Sequence, residues 1–223
     1  MKIDKKTMLA IGVLATIGVT GLAFMYRREI IKFISGTNKL QRKASKVAVE
    51  EYTKWNRQGL SIKEHSPVTL DSLKAYWSAT NHSYDQMRSQ PWSAAFISYV
   101  MKTAGAGKDF PYATSHSTYI VKAIQNRLAN TGRFKGYKPE EKPLEVGDLV
   151  CAPRSGSGAG YNTTGAYESH CDLCVAIDKK NNQGILVGGN VSDSVSKTYV
   201  PLTKDGRVDK TKTSKNYFVI IKY

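Results

Sequence analysis

The chain has 223 residues, 41% of them hydrophobic and 23% charged, which gives it apolar surface for a core and excludes wholesale disorder. Its length excludes two large domains. Lys and Arg outnumber Asp and Glu by 33 to 18, a balance that suits an anionic partner (membrane, cell wall or nucleic acid) without choosing among them.

Residues 8–26, MLAIGVLATIGVTGLAFMY, carry no charge and have the length of a helix that crosses a bilayer. The run ends in Met25-Tyr26-Arg27-Arg28-Glu29 and not in the small residues of a cleavage site, so the sequence predicts an uncleaved single-pass anchor. Lys2, Lys5 and Lys6 precede it, whereas Arg27, Arg28 and Lys32 follow, a weak lean toward a cytoplasmic C-terminal part. The division is an anchor with a basic flank at 1–37 and one domain at 38–223.

Leu40, Ala44, Val47, Ala48, Tyr52 and Trp55 share one helical stripe, with Gly59 placed to end it. Leu70 to Trp77 reads as a short helix, followed by a polar loop to Gln90. Pro91 starts a stronger helix whose apolar face is Phe96, Ile97, Val100, Met101 and Ala104, closed by Gly105. A further helix is expected from about Ser117 to Asn130. The texture then turns to strands at 148–153, 171–177, 185–188, 194–200 and 216–221, bounded by Gly, Pro, Asn and Asp. Helices first and strands afterwards is an α+β pattern, with N-terminal helices packed on an antiparallel sheet. The glycine-rich stretch from Arg154 to Asn162 lacks the Lys-Ser/Thr ending of a phosphate loop and reads as a surface loop.

Cys151, Cys171 and Cys174 are an odd number without the spacing of a disulfide scaffold, which leaves the redox compartment open. His170-Cys171-x-x-Cys174 has a zinc-like spacing, but a strand there would send the two cysteines to opposite faces; no metal and no cofactor are expected.

Ser93 is a small hydroxyl on the inward face at a helix N-terminus, where free N–H groups and the helix dipole favour a developing anion. The competing reading is a serine that satisfies a free helix N–H. His170 opens an apolar strand and faces the same way as Asp172, a position suited to a general base; Asn190, at the end of Val187-Gly188-Gly189-Asn190, is a candidate to orient it. His116 is a candidate cleft residue or a packing histidine. Asp172 is a candidate orienting carboxylate, and Asp148 reads as a turn-forming acid. Trp92 and Tyr99 read first as core aromatics, with Trp92 kept as a candidate on the substrate side.

The run Pro91-Trp-Ser-Ala-Ala-Phe-Ile-Ser-Tyr-Val-Met-Lys-Thr-Ala-Gly105 resembles the nucleophile helix of the papain-like cell-wall hydrolases, the NlpC-type peptidases and CHAP amidases. Val146-Gly-Asp-Leu-Val150 is similar to the strand start of that clan, His170 falls where it has its catalytic histidine, and Asn190 near the CHAP asparagine. The stretch from Trp92 through Ser115-His116 and His170-Cys-Asp-Leu to Gly188-Gly-Asn also resembles the bacterial domain of unknown function 2272 family. The resemblance implies a papain-like α+β hydrolase acting on an amide bond of peptidoglycan, with Ser93 as nucleophile, His170 as base and Asn190 orienting it. Serine stands at 93 where those families have cysteine, and a hydroxyl depends more than a thiol on its base and oxyanion hole.

Two readings stand side by side: a peptidoglycan amidase or endopeptidase, of the phage lytic or antibacterial toxin kind, with an immunity or secretion partner; and a silent wall-binding module of the same fold. A lipid-acting hydrolase or acyltransferase is a third. Hydrolysis of the wall requires the domain to lie outside the cytoplasmic membrane, against the charge lean. Nucleic acid is not an expected partner, because the basic residues are scattered and no motif of that class is present.

Overall fold

The structure is a computed structural model and describes residues 37–154 and 156–223. Helix α1 (Lys39–Trp55) begins at a capping box: the Asn38 side chain accepts from the Leu40 and Gln41 amides, and the Gln41 side chain accepts from the Asn38 amide. Its buried face includes Leu40, Ala44, Ala48 and Trp55. Gly59 does not end this helix. Gln58 and Gly59, both at positive φ, form the two-residue turn between β1 (Asn56–Arg57) and β2 (Leu60–Ser61), a hairpin the sequence reading lacked. Helices α2 (Leu70–Ser78) and α3 (Tyr84–Met87) follow, the second inside the expected polar loop.

Helix α4 (Ser93–Ala104) starts two residues after Pro91, with Trp92 at its N-cap and Gly105 at φ 89° as the left-handed stop. Helix α5 (His116–Leu128) is one residue earlier at its start and two shorter at its end than expected. Strands β3 (Lys135–Tyr137), β4 (Leu149–Pro153), β5 (Ser169–Asp178), β6 (Gln183–Gly188), β7 (Ser196–Pro201) and β8 (Val219–Lys222) form one antiparallel sheet in the order β3-β8-β4-β5-β6-β7.

Alternation along the sheet separates two apolar layers. Leu149, Cys151, Cys171, Leu173, Val219 and Ile221 pack with the helices, in the cluster that holds Phe96, Ile97 and Tyr119. Val150, Ala152, Cys174, Leu186, Val200 and Ile220 form the second cluster, with Leu202, Val208 and Tyr217. Cys171 and Cys174 thus lie on opposite faces. Cys151 and Cys171 are cross-strand partners, Cα atoms 4.1 Å apart, and are joined by a disulfide; Cys174 is a buried free thiol.

The expected fold needs one correction. What stands is α+β with helices on an antiparallel sheet; no helix among the described residues is long and apolar enough to cross a membrane. Residues 8–26, where the sequence predicts the crossing helix, lie outside the described residues.

Candidate active site

Ser93 is the first residue of α4 and is buried, its neighbours Ala94 to Ile97 packed in the core. Phe96 donates its amide to the Trp92 carbonyl, the first intrahelical bond, so the N–H groups of Ser93 to Ala95 form the first turn, which the Trp92 side chain does not cap and for which no hydrogen-bond partner is found among the described residues. The Ser93 hydroxyl lies 2.7 Å from Nε2 of His116, the first residue of α5. What brings two helix starts together is visible one turn further along α4. The Ser98 hydroxyl donates to the Ala113 carbonyl and accepts from the Ala113 amide, pinning the chain three residues before His116.

His116 is buried, and its Nδ1 is hydrogen-bonded to the Tyr119 hydroxyl. Burial, then the His170 ring and the Arg154 guanidinium, hold its pKa well below 6.5, so the ring is neutral at neutral pH. For Nε2 to accept the Ser93 proton, Nδ1 must carry a hydrogen and donate it to the Tyr119 oxygen. Burial, with Asp172 second, raises the Tyr119 pKa and keeps its hydroxyl protonated.

A second histidine stands beside the first, with the ring centroids of His116 and His170 5.3 Å apart. His170 Nε2 donates to Asp172 Oδ1 at 2.8 Å, and the other carboxylate oxygen accepts from the Thr198 hydroxyl at 3.2 Å. Burial alone would raise the Asp172 pKa, but the His170 ring, the Lys215 charge and the Thr198 hydroxyl together outweigh it and hold the carboxyl below its usual range. An added Cβ on Gly188 would fall 1.8 Å from Asp172 Oδ1 and 3.1 Å from His170 Nε2, so the glycine makes room for this pair. One on Gly189 would meet Phe96 at 2.4 Å, where β6 passes against α4.

The residues singled out by sequence are therefore gathered in one region but partnered differently. Ser93 is hydrogen-bonded to His116, and His170 to Asp172. Asn190 shares a cavity wall with His170 and Asp172; at φ 56° it also occupies a left-handed turn position that asparagine tolerates. Trp92 is buried in a stack with Trp55 and Tyr76. Tyr119 and Thr198 were missed, because neither stands out until a histidine or carboxylate is placed beside it.

Two cavities meet here. One of about 420 Å³ is lined by Ser93, His116, Trp77, Tyr167 and Ser169; the other, of about 790 Å³, by His170, Asp172, Asn190, Lys215 and Tyr217. Arg154 and Glu168, joined by a backbone hydrogen bond, line both. Their sizes are those of small-ligand sites. Among the described residues no group of three or more His, Cys, Asp or Glu is arranged to hold a metal ion.

A search of curated proteins found no match to this chain, nor did a search of solved structures. The family model described as "Uncharacterized protein conserved in bacteria (DUF2272)" matches residues 50–220, which include every site residue above. With that match spanning most of its length, the chain belongs to this family of uncharacterised bacterial proteins.

Proposed function

We propose that the domain is a serine-dependent hydrolase of an amide bond in peptidoglycan, with Ser93 as nucleophile and His116 as its base. The observation that carries this is the 2.7 Å contact between the Ser93 hydroxyl and His116 Nε2 at the wall of a cavity, with the imidazole neutral and its far nitrogen held by Tyr119. Ser93 Oγ attacks the carbonyl carbon while its proton passes to Nε2. The oxyanion is met by the free amides of the first turn of α4, and the leaving amine departs with the proton from His116. Water then attacks the acyl-enzyme, giving a proton to His116, which passes it to Ser93 Oγ as the acyl–oxygen bond breaks and the acid is released. His170, held by Asp172, stands beside the His116 ring at 5.3 Å between centroids.

The substrate class rests on the resemblance of the 85–192 segment to the papain-like wall hydrolases, in which this domain would be a serine variant. A position outside the cytoplasmic membrane agrees with the Cys151–Cys171 disulfide, since such bonds persist in oxidising compartments.

The test is digestion of purified peptidoglycan by the full chain beside Ser93→Ala, His116→Ala and His170→Ala, with products read by mass spectrometry. Ser93→Ala should abolish release of new termini, and His116→Ala should lower the rate by about a hundredfold to ten-thousandfold. Loss in His170→Ala with His116→Ala unimpaired would return the base role to His170. A second reading has its own observation: Ser93 and His116 are only 2% and 4% exposed, which suits a binding module whose dyad is structural. Intact wall that pulls down wild type and Ser93→Ala equally would favour that module.

A further inference from the structure

The cavities contain polar groups that the hydrolytic reading leaves without work. Tyr217 lines the larger one and is 2% exposed, yet among the described residues its hydroxyl has no hydrogen-bond partner. Buried hydroxyls are ordinarily partnered, so each such orphan calls for an explanation, and a ligand atom is one. Arg154 belongs to both cavities, and among the described residues its guanidinium enters no ion pair and no hydrogen bond. Lys215, exposed on the rim of the larger cavity, is likewise free of an ion pair among the described residues; its ammonium lies 6.0 Å from the centre of the Tyr217 ring. Of the acids of this wall, Asp172 is hydrogen-bonded to His170 and Thr198 and feels the Lys215 charge without forming an ion pair with it, and Glu168 is exposed and not ion-paired with Arg154.

We propose that the larger cavity is a carboxylate subsite, in which Arg154, Lys215 and the Tyr217 hydroxyl hold an acidic group of a peptide whose scissile amide lies at Ser93. A planar guanidinium is the side chain best matched to a carboxylate, and a tyrosine hydroxyl can add one further donor. Because Arg154 lines both cavities, it also ties the recognised acid to the reacting bond, so the substrate is an acidic peptide and not a neutral one. This rests on the hydrolytic reading for the scissile bond alone; recognition of the acid stands on the cavity itself.

The experiment is calorimetric titration of the full chain carrying Ser93→Ala, which prevents turnover, with N-acetyl-L-alanyl-γ-D-glutamyl-L-lysine and with the same peptide amidated at every carboxylate. The acid should bind, and the amide at least tenfold more weakly. Arg154→Gln and Lys215→Gln should each weaken the acid about tenfold and leave the amide unchanged, with thermal melts confirming that both variants fold; Glu168→Gln should not weaken it. Equal binding of acid and amide, no binding of the acid, or inorganic phosphate binding as tightly as the peptide would overturn the subsite. Acid-selective binding in a chain whose unsubstituted form fails to cut the wall would retain the subsite and remove the hydrolase; cutting without acid preference would do the reverse.

Discussion

His116 is held between two hydroxyls, Ser93 on Nε2 and Tyr119 on Nδ1, and its burial decides what pH does to it. Since its folded pKa lies well below 6.5, the ring stays neutral as pH falls through 6.5 while the same residue in the unfolded chain takes up a proton. The unfolded state then binds more protons, so stability should fall as pH drops below about 6.5, by at most about 1.4 kcal/mol per unit. Denaturation midpoints at pH 7.5 and 5.5 would measure this slope, and His116→Gln should flatten it. On the proposed hydrolytic reading, turnover should persist through pH 6.5 without the acid limb of an ordinary histidine. Asp172 acts in a separate window: its lowered pKa contributes stability that is lost only as pH falls through that lowered value.

At the scale of elements, the site is where two helix starts meet one strand opening. The sequence made α4 and β5 legible through their apolar periods, and with them Ser93 and His170. It did not make the Ser93–His116 pairing legible, because these residues sit on different helices and the Ser98–Ala113 clasp that joins them leaves no periodic trace. The hairpin was missed for a related reason: a glycine after a helix reads as a stop, and only the positive φ of Gln58 beside Gly59 identifies the turn. Register was equally invisible. Cys151 and Cys171 become partners only once β4 pairs with β5, which sets Ala152 opposite His170 and Val150 opposite Asp172. With a sequence separation of 20, the bond should contribute about 3 kcal/mol by constraining the unfolded chain. Thiol titration of the denatured protein should find one free thiol before reduction and three after, and Cys151→Ala with Cys171→Ala should lower the denaturation midpoint accordingly.

Across the whole molecule, the two ends of the described chain are locked together at one buried acid. Asp148 accepts from Lys222 of β8 at 2.5 Å, from the Glu145 amide at 2.8 Å and from the Gln41 side chain of α1 at 3.2 Å. Burial pushes its carboxyl up to about 7 against the pull of the Lys222 ammonium. Asp148→Ala would leave Lys222, 18% exposed, with only the exposed Glu145 carboxylate and the Pro143 carbonyl as partners and should cost about 2 kcal/mol; Asp148→Asn with Lys222→Met should recover most of the loss, as read by chemical denaturation. The same lock has a consequence in time. Strand β8 is the last in the chain yet lies between β3 and β4, so β4 cannot acquire both of its neighbours until residue 222 is available. A chain emerging from the ribosome therefore carries Ser93, His116 and His170 well before the sheet beneath them can close, so the site residues are made first and positioned last.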